Sequence, residues 1–188
     1  MQDFDGIYRE FQPKIYRYLC RLSGQTDAID LTQEVFLKVS QALDTFRGES
    51  SLATWIYRIA TNAAYDHARS SPLRQRRLEI LFDDADSSYD LPGPDLPAAD
   101  KEFILKEMNA CIRGIVDQLS QDYRTVLVLS EFDEFTNPEI AGILGVSVET
   151  VKIRLHRARV RLRKAMECQC SLYRDERNEL MCQPRTAH

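Results

Sequence analysis

The residues of this chain best suited to chemistry are cations in a row. From Lys152 to Lys164 there are seven Lys or Arg and no acid, an imbalance that a merely solvated helix face does not require. Val151, Leu155, Ala158 and Leu162 recur at i, i+4, i+7 and i+11, so a helix over this segment would bury one face. Lys152, Ile153, His156, Arg157 and Arg159 fall off that stripe, where a helix lying in a major groove offers side chains to phosphates and base edges. Such a helix must be held by a partner and a turn. Thr136 can cap a preceding helix, Pro138 fits its first turn, and Ile140, Ala141 and Leu144 form its apolar stripe. Gly145 admits the positive φ of a tight turn, and Ser147 can cap the helix that follows. The stretch TNPEIAGILGVSVETVKIRLHRAR is therefore read as a helix-turn-helix; the plainer alternative is a solvated helix in an ordinary bundle.

A second set lies in FRGESSLATWIYRIATNAAYDHAR, residues 46–69. Arg47, Gly48, Glu49, Ser50 and Ser51 read as a polar loop, with Ser50 or Ser51 capping the helix after it. That helix mixes Trp55, Tyr57 and Tyr65 with Arg58, His67 and Arg69, and sets Asn62 and Asp66 one turn apart. Rings beside cations suit melted nucleic acid, whose unstacked bases seek a π-face and whose backbone seeks positive charge. A polar loop beside them could hold a base turned out of its stack. Trp55 fits a core position equally well; Arg58, Asn62 and Asp66 do not.

A third set is the tail CQCSLYRDERNELMCQPRTAH. Leu172 and Tyr173, a polar turn, then Leu180 and Met181 read as a short β-hairpin that would return Cys182 beside Cys168 and Cys170. Three thiolates can take zinc or another soft transition metal, with His188 the one fourth ligand on offer, although Cys-x-Cys lacks the usual knuckle spacing. The alternative is a reduced, docked hairpin without a ligand. Cys20 and Cys111 sit in helical apolar patterns and read as small buried hydrophobes.

No enzyme site emerges: the chain lacks a glycine-rich phosphate loop, and its three histidines stand at unrelated places. Hydrophobic residues at 44% and charged ones at 29% are values of a soluble globular protein. No apolar run reaches the roughly 18 residues of a membrane span, and MQDFDGIYRE has no signal pattern, so a cytoplasmic protein without membrane insertion is expected. The net charge of −4 averages two opposite fields, because residues 79–102 hold eight acids against the single Lys101.

The elements that must carry these sets are helical. Tyr8, Phe11, Ile15, Tyr18, Leu19 and Leu22 form one stripe, Leu31, Val35, Phe36, Val39 and Leu43 a second, and Leu52, Trp55, Ile56, Ile59 and Ala63 a third. Residues 72–100 hold four of the seven prolines and read as a linker. Helical patterning returns through Phe103, Leu105, Met108, Cys111, Ile112, Ile115 and Leu119. The expected fold is all-α: two small helical domains joined by a flexible linker, the second containing the helix-turn-helix, with a short C-terminal β-hairpin. The boundaries read as 1–71, 72–101 for the acidic Pro-rich linker, 102–167, and 168–188 for the cysteine tail.

Taken together the segments resemble a known family. FRGESSLATWIYRIATNAAYDHAR is similar to regions 2.3 to 2.4 of sigma-70 factors, DAIDLTQEVFLKVSQAL to region 2.2, and LSQDYRTVLVLSEFDEFTNPEIAGILGVSVETVKIRLHRARVRLRKAM to region 4. With only a linker where region 3 would stand, the chain resembles an extracytoplasmic-function (group 4) sigma factor over about residues 4–70 and 103–166. The resemblance implies a non-enzymatic subunit that binds core RNA polymerase through its β′ and β subunits, directs initiation at promoters, and serves a stress response. It implies polymerase contacts at Asp27, Asp30, Leu31, Gln33, Glu34 and Phe36. It implies that the melted minus-10 strand is read by Arg47, Gly48, Ser50, Ser51, Trp55, Arg58, Asn62 and Asp66, and minus-35 duplex by Lys152, Ile153, His156, Arg157 and Arg159. Two positions depart from many relatives: Ile153 replaces a small or hydroxyl residue, and His156 an aromatic one. Ile153 can touch a thymine methyl but cannot donate a hydrogen bond. The resemblance implies no cofactor for DNA binding. It allows an anti-sigma partner, self-masking of the DNA surfaces, and metal or redox sensing by Cys168, Cys170, Cys182 and His188. Two rival readings are a stand-alone helix-turn-helix regulator of duplex operators and a metal-responsive adaptor that binds protein alone.

Overall fold

A computed structural model describes residues 3–70, 114–174 and 180–184, with side chains up to residue 167. The expected linker over 72–101 and the stripe from Phe103 to Ile112 lie outside the described residues. Helix α1 (Phe4–Ser23) starts at Asp3, whose carboxylate accepts the Asp5 N–H at 3.2 Å, and stops at Gly24, whose φ of 87° ends the turn. Helix α2 (Gln25–Ala42) returns along it, a short 3₁₀ turn (Leu43–Thr45) follows, and helix α3 (Leu52–Ser70) crosses both. Ile7, Phe11, Ile15, Tyr18, Leu19 and Leu22 of α1 meet Leu31, Val35, Phe36 and Val39 of α2 and Ile56, Ala60 and Ala63 of α3. Burying each large side chain contributes about 1.5–3 kcal/mol relative to leaving it in water. The hydroxyl of Tyr18, inside this core, shares a hydrogen bond with Thr61 Oγ1 at 2.7 Å, so burial leaves no orphaned polar group there.

The second unit is helical residues 114–118, α4 (Gln121–Glu131), α5 (Asn137–Leu144) and α6 (Val148–Gln169). Ile140, Ala141 and Ile143 of α5 bury against Val151, Leu155 and Ala158 of α6 and Val126 to Leu129 of α4. Strands β1 (Cys170–Arg174) and β2 (Leu180–Pro184) then pair antiparallel, with Leu172 opposite Cys182. The two helical units do not stand apart. Their buried side chains run into one continuous core, and α3 packs on α5 while α1 touches α4.

Candidate nucleic-acid interface

Three surfaces take shape from the described residues. The first is the turn between α5 and α6. The Thr136 N–H and hydroxyl both donate to the Glu139 carboxylate, at 2.9 and 2.6 Å, a reciprocal cap that holds that carboxyl below its ordinary range. Gly145 closes α5 with φ 67° and ψ 33°, a left-handed conformation that a Cβ would disfavour. Ser147 Oγ accepts the Thr150 N–H at 3.2 Å and starts α6. The turn aims the first turns of α6 outward, so Lys152, Ile153, His156 and Arg157 all lie exposed on one side while Val151, Leu155 and Ala158 are buried. Ile153 is 52% exposed, an apolar residue in a cationic row.

Three further cations of α6 are differently employed. Arg159 bonds the Glu131 carboxylate at 2.6 Å and lowers its pKa, Arg154 pairs with Asp122 at 2.8 Å, and the Arg161 guanidinium lies 4.8 Å from the Tyr123 ring centroid. Among the described residues, no acid pairs with Lys152 or Arg157. Arg159 therefore braces α6 on α4 and stands apart from the other expected duplex-reading residues.

The second surface is the loop and outer face of α3. Gly48 takes φ 72°, bending residues 46–51 outward, and Ser51 caps α3 by accepting the Thr54 N–H at 3.0 Å. Arg47, Gly48 and Ser51 are exposed and Ser50 half-buried. Trp55, Arg58, Asn62 and Asp66 follow at i, i+3, i+7 and i+11, which is one helix face; the last three are exposed and Trp55 is half-buried. The Trp55 ring is backed by Phe46 at 5.1 Å between centroids, an aromatic pair at the loop's base. Phe46 was not among the expected site residues, although an aromatic directly before Arg47 was the available signal.

Other residues of this segment turn elsewhere. Tyr57 and Tyr65 donate their hydroxyls to Asp133 and Asp122 of the second unit, at 3.1 and 3.3 Å. Burial is the main cause that raises both phenols, Tyr65 to about 12. His67 Nε2 lies 3.2 Å from Asp27, fastening α3 to α2. Of the rings in this helix, only Trp55 lies beside the loop as a face for a base. Arg58 donates its Nε to the Gly142 carbonyl oxygen at 2.8 Å, joined by a second guanidinium nitrogen.

The third surface is α2. Asp30, Gln33 and Glu34 are exposed, the last paired with Lys38 at 2.6 Å, and Asp27 is half-buried beside His67. Leu31 and Phe36 are each 3% exposed and face the core, so they offer no side-chain surface to a partner. Ile29 and Leu37, 52% and 59% exposed, stand out on the helix in their place. Neither was among the expected site residues; two exposed apolar side chains off the buried stripe were the available signal.

Cys168, Cys170, Cys182 and His188 have side chains outside the described residues. Among the described residues, no group of three His, Cys, Asp or Glu could hold a metal, and no helix is long and apolar enough to cross a membrane.

Comparison with known proteins matches residues 7–72 to a family described as Sigma-70 region 2 and residues 109–162 to Sigma-70, region 4. The chain is 32% identical over 166 residues to the RNA polymerase sigma-H factor of Pseudomonas aeruginosa, covering 87% of this chain and 86% of that one. It is 33% identical over 165 residues to the ECF RNA polymerase sigma factor SigW of Bacillus subtilis, covering 87% and 88%. In fold it is similar to the sigma factor RpoE in complex with the anti-sigma factor NepR from Bartonella quintana. That likeness has a TM-score of 0.64 at 24% identity, over 89% of this chain and 98% of that one.

Proposed function

Because the chain belongs to the extracytoplasmic-function sigma factors of the sigma-70 family, we propose that its three exposed surfaces divide the work of initiation. The protein binds core RNA polymerase and directs promoter-specific transcription initiation. Asp30, Gln33 and Glu34, with Ile29 and Leu37 at either end, form the polymerase-binding face of α2. Exposed apolar side chains set among polar ones suit an interface that forms and dissolves.

Arg47, Gly48, Ser50 and Ser51 receive a base extruded from the minus-10 element, and Trp55 backed by Phe46 supplies the ring on which a neighbouring base stacks. Stacking of this kind contributes about 1–3 kcal/mol per base. Asn62 and Asp66 extend the same face along the strand. Lys152 and Arg157 hold phosphates or base edges of minus-35 duplex, and Ile153 reads shape and methyl groups between them. Catalysis belongs to the polymerase. The chain works where the polymerase does, in the cytoplasm, with promoter DNA as ligand and an anti-sigma protein as the class of partner that restrains it.

The observation that carries this reading is the exposed row Lys152, Ile153, His156 and Arg157 on one unit together with the loop and α3 face on the other. The experiment is run-off transcription from genomic fragments by core polymerase with and without the purified chain. Discrete transcripts that depend on the chain are expected. Unaided, tight binding of the chain to closed duplex, with no chain-dependent transcripts, would favour the stand-alone regulator.

A further inference from the structure

We propose that Glu149 is a specificity-determining residue of the duplex-reading helix, its carboxylate accepting the 4-amino group of a cytosine in the minus-35 element. The inference deepens the reading of α6 as that helix and rests on it. Glu149 is the second residue of α6 and is exposed. It is the sole acid from Val148 to Lys164, a stretch that carries seven Lys or Arg. Neighbouring acids are spent on the fold: Glu139 is held by Thr136, Asp122 pairs with Arg154, and Glu131 pairs with Arg159. Among the described residues, no cation lies within ion-pair distance of Glu149.

The place of that carboxylate decides what it can meet. Glu149, Ile153 and His156 follow at i, i+4 and i+7, which sets them on one helix face, and all three are exposed. Thr150 beside them is half-buried and shares its hydroxyl hydrogen bond with Ser147 Oγ at 3.0 Å, so it is not free for DNA. The first turns of a recognition helix are the part that reaches base edges. An acid there is repelled by every phosphate, so its approach to duplex is favourable only where a base edge donates to it.

Two groups in the major groove donate, the 4-amino group of cytosine and the 6-amino group of adenine. The adenine amino group stands beside the N7 acceptor, whose lone pair opposes a carboxylate oxygen, whereas cytosine has only a C–H at the neighbouring place. A carboxylate accepts and cannot donate, and so prefers cytosine. An amide does the reverse, because its NH₂ satisfies N7 while its oxygen accepts from N6. Four residues of helix rise about 6 Å and one base step about 3.4 Å, so the cytosine lies within about two base pairs of the thymine that Ile153 faces. An acid in the first turn also complements the helix dipole, but that role asks nothing of the base sequence.

The test separates the two roles. Holoenzyme assembled from core polymerase and the full chain selects binding sites from promoter duplexes randomised across the minus-35 element, with the native chain, Glu149→Gln or Glu149→Ala. Both substitutions fall on an exposed side chain without an ion pair among the described residues, so the fold is expected to stand. The native chain should enrich cytosine at one position by about tenfold over the other bases. Glu149→Gln should move the preference at that position alone to adenine. Glu149→Ala should flatten it and bind unselected duplex more tightly, having lost a charge that repels phosphate. No enriched cytosine with the native chain, or one that survives both substitutions, would overturn the assignment and leave Glu149 a complement to the helix dipole only. If the native holoenzyme enriches no base at any position, the reading of α6 as a duplex reader fails, a result distinct from the loss of one position.

Discussion

Ile153 is the residue whose chemistry makes the sharpest statement about DNA. An exposed β-branched side chain gains nothing from water, and its one base-specific contact in a major groove is with the 5-methyl of thymine. In a minus-35 element that the polymerase complex recognises, replacing the faced thymine by deoxyuracil is expected to weaken binding by about 3- to 10-fold, a modest apolar term. The Ile153→Ser variant should be indifferent to that exchange; equal sensitivity in both proteins would remove the assignment. Asp133 gives a pH dependence. Burial raises its carboxyl above the ordinary value of 3.8, against the lowering by Tyr57, Arg21 and Arg17. A raised acid contributes stability that is fully present below the unfolded value and is lost as pH rises through the folded one. Thermal melts should therefore show Asp133→Asn gaining on the native chain from acid toward neutral pH, and a gap that narrows would contradict the burial argument. Leu31 and Phe36 show where the apolar stripe and the family resemblance point different ways. The apolar stripe already contained both, and it is the family resemblance that brought them into the polymerase face; the stripe was the better guide.

Helix-scale features were the most readable, because caps and turns are local chemistry. Thr136 with Glu139, Pro138, Gly145 and Ser147 stand where their residue types require, and each can be recognised within one turn of chain. Gly145 is the most exposed to substitution: Gly145→Ala forces a Cβ into the left-handed region and is expected to cost about 1–2 kcal/mol, read as a lower Tm. An unchanged Tm would mean that the turn relaxes. On α2, Leu37→Glu replaces an exposed side chain that touches no core. Its Tm should stay within about 1 °C of the native chain, as surface changes usually do. Affinity for core polymerase should fall by about tenfold or more if Leu37 anchors the interface. Retained affinity would move that interface off this face of α2.

At the level of the whole molecule, sequence patterning conveyed two helical units and the order of their surfaces, but not that the units pack together. Contacts such as Arg58 with Gly142 or Tyr57 with Asp133 join residues more than seventy positions apart, and no periodicity announces a pairing across that distance. Arg58 was singled out because a cation beside Asn62 and Asp66 makes poor core, a sound reason that left its partner in α5 unseen. The same blindness applies to Tyr57 and Tyr65, whose ring type suggested bases and whose hydroxyls hold the second unit. Division of labour between a strand-reading and a duplex-reading surface is best examined by permanganate footprinting of a promoter with holoenzyme carrying the native chain, Trp55→Ala, or Lys152→Ala with Arg157→Ala. The native chain should make thymines around minus-10 reactive. Trp55→Ala should bind but lose most of that reactivity, and the double variant should lose binding and reactivity together, regaining both at low salt as phosphate contacts do. Undiminished reactivity with Trp55→Ala, or an unaffected complex with the double variant, would contradict the assignment of the two surfaces.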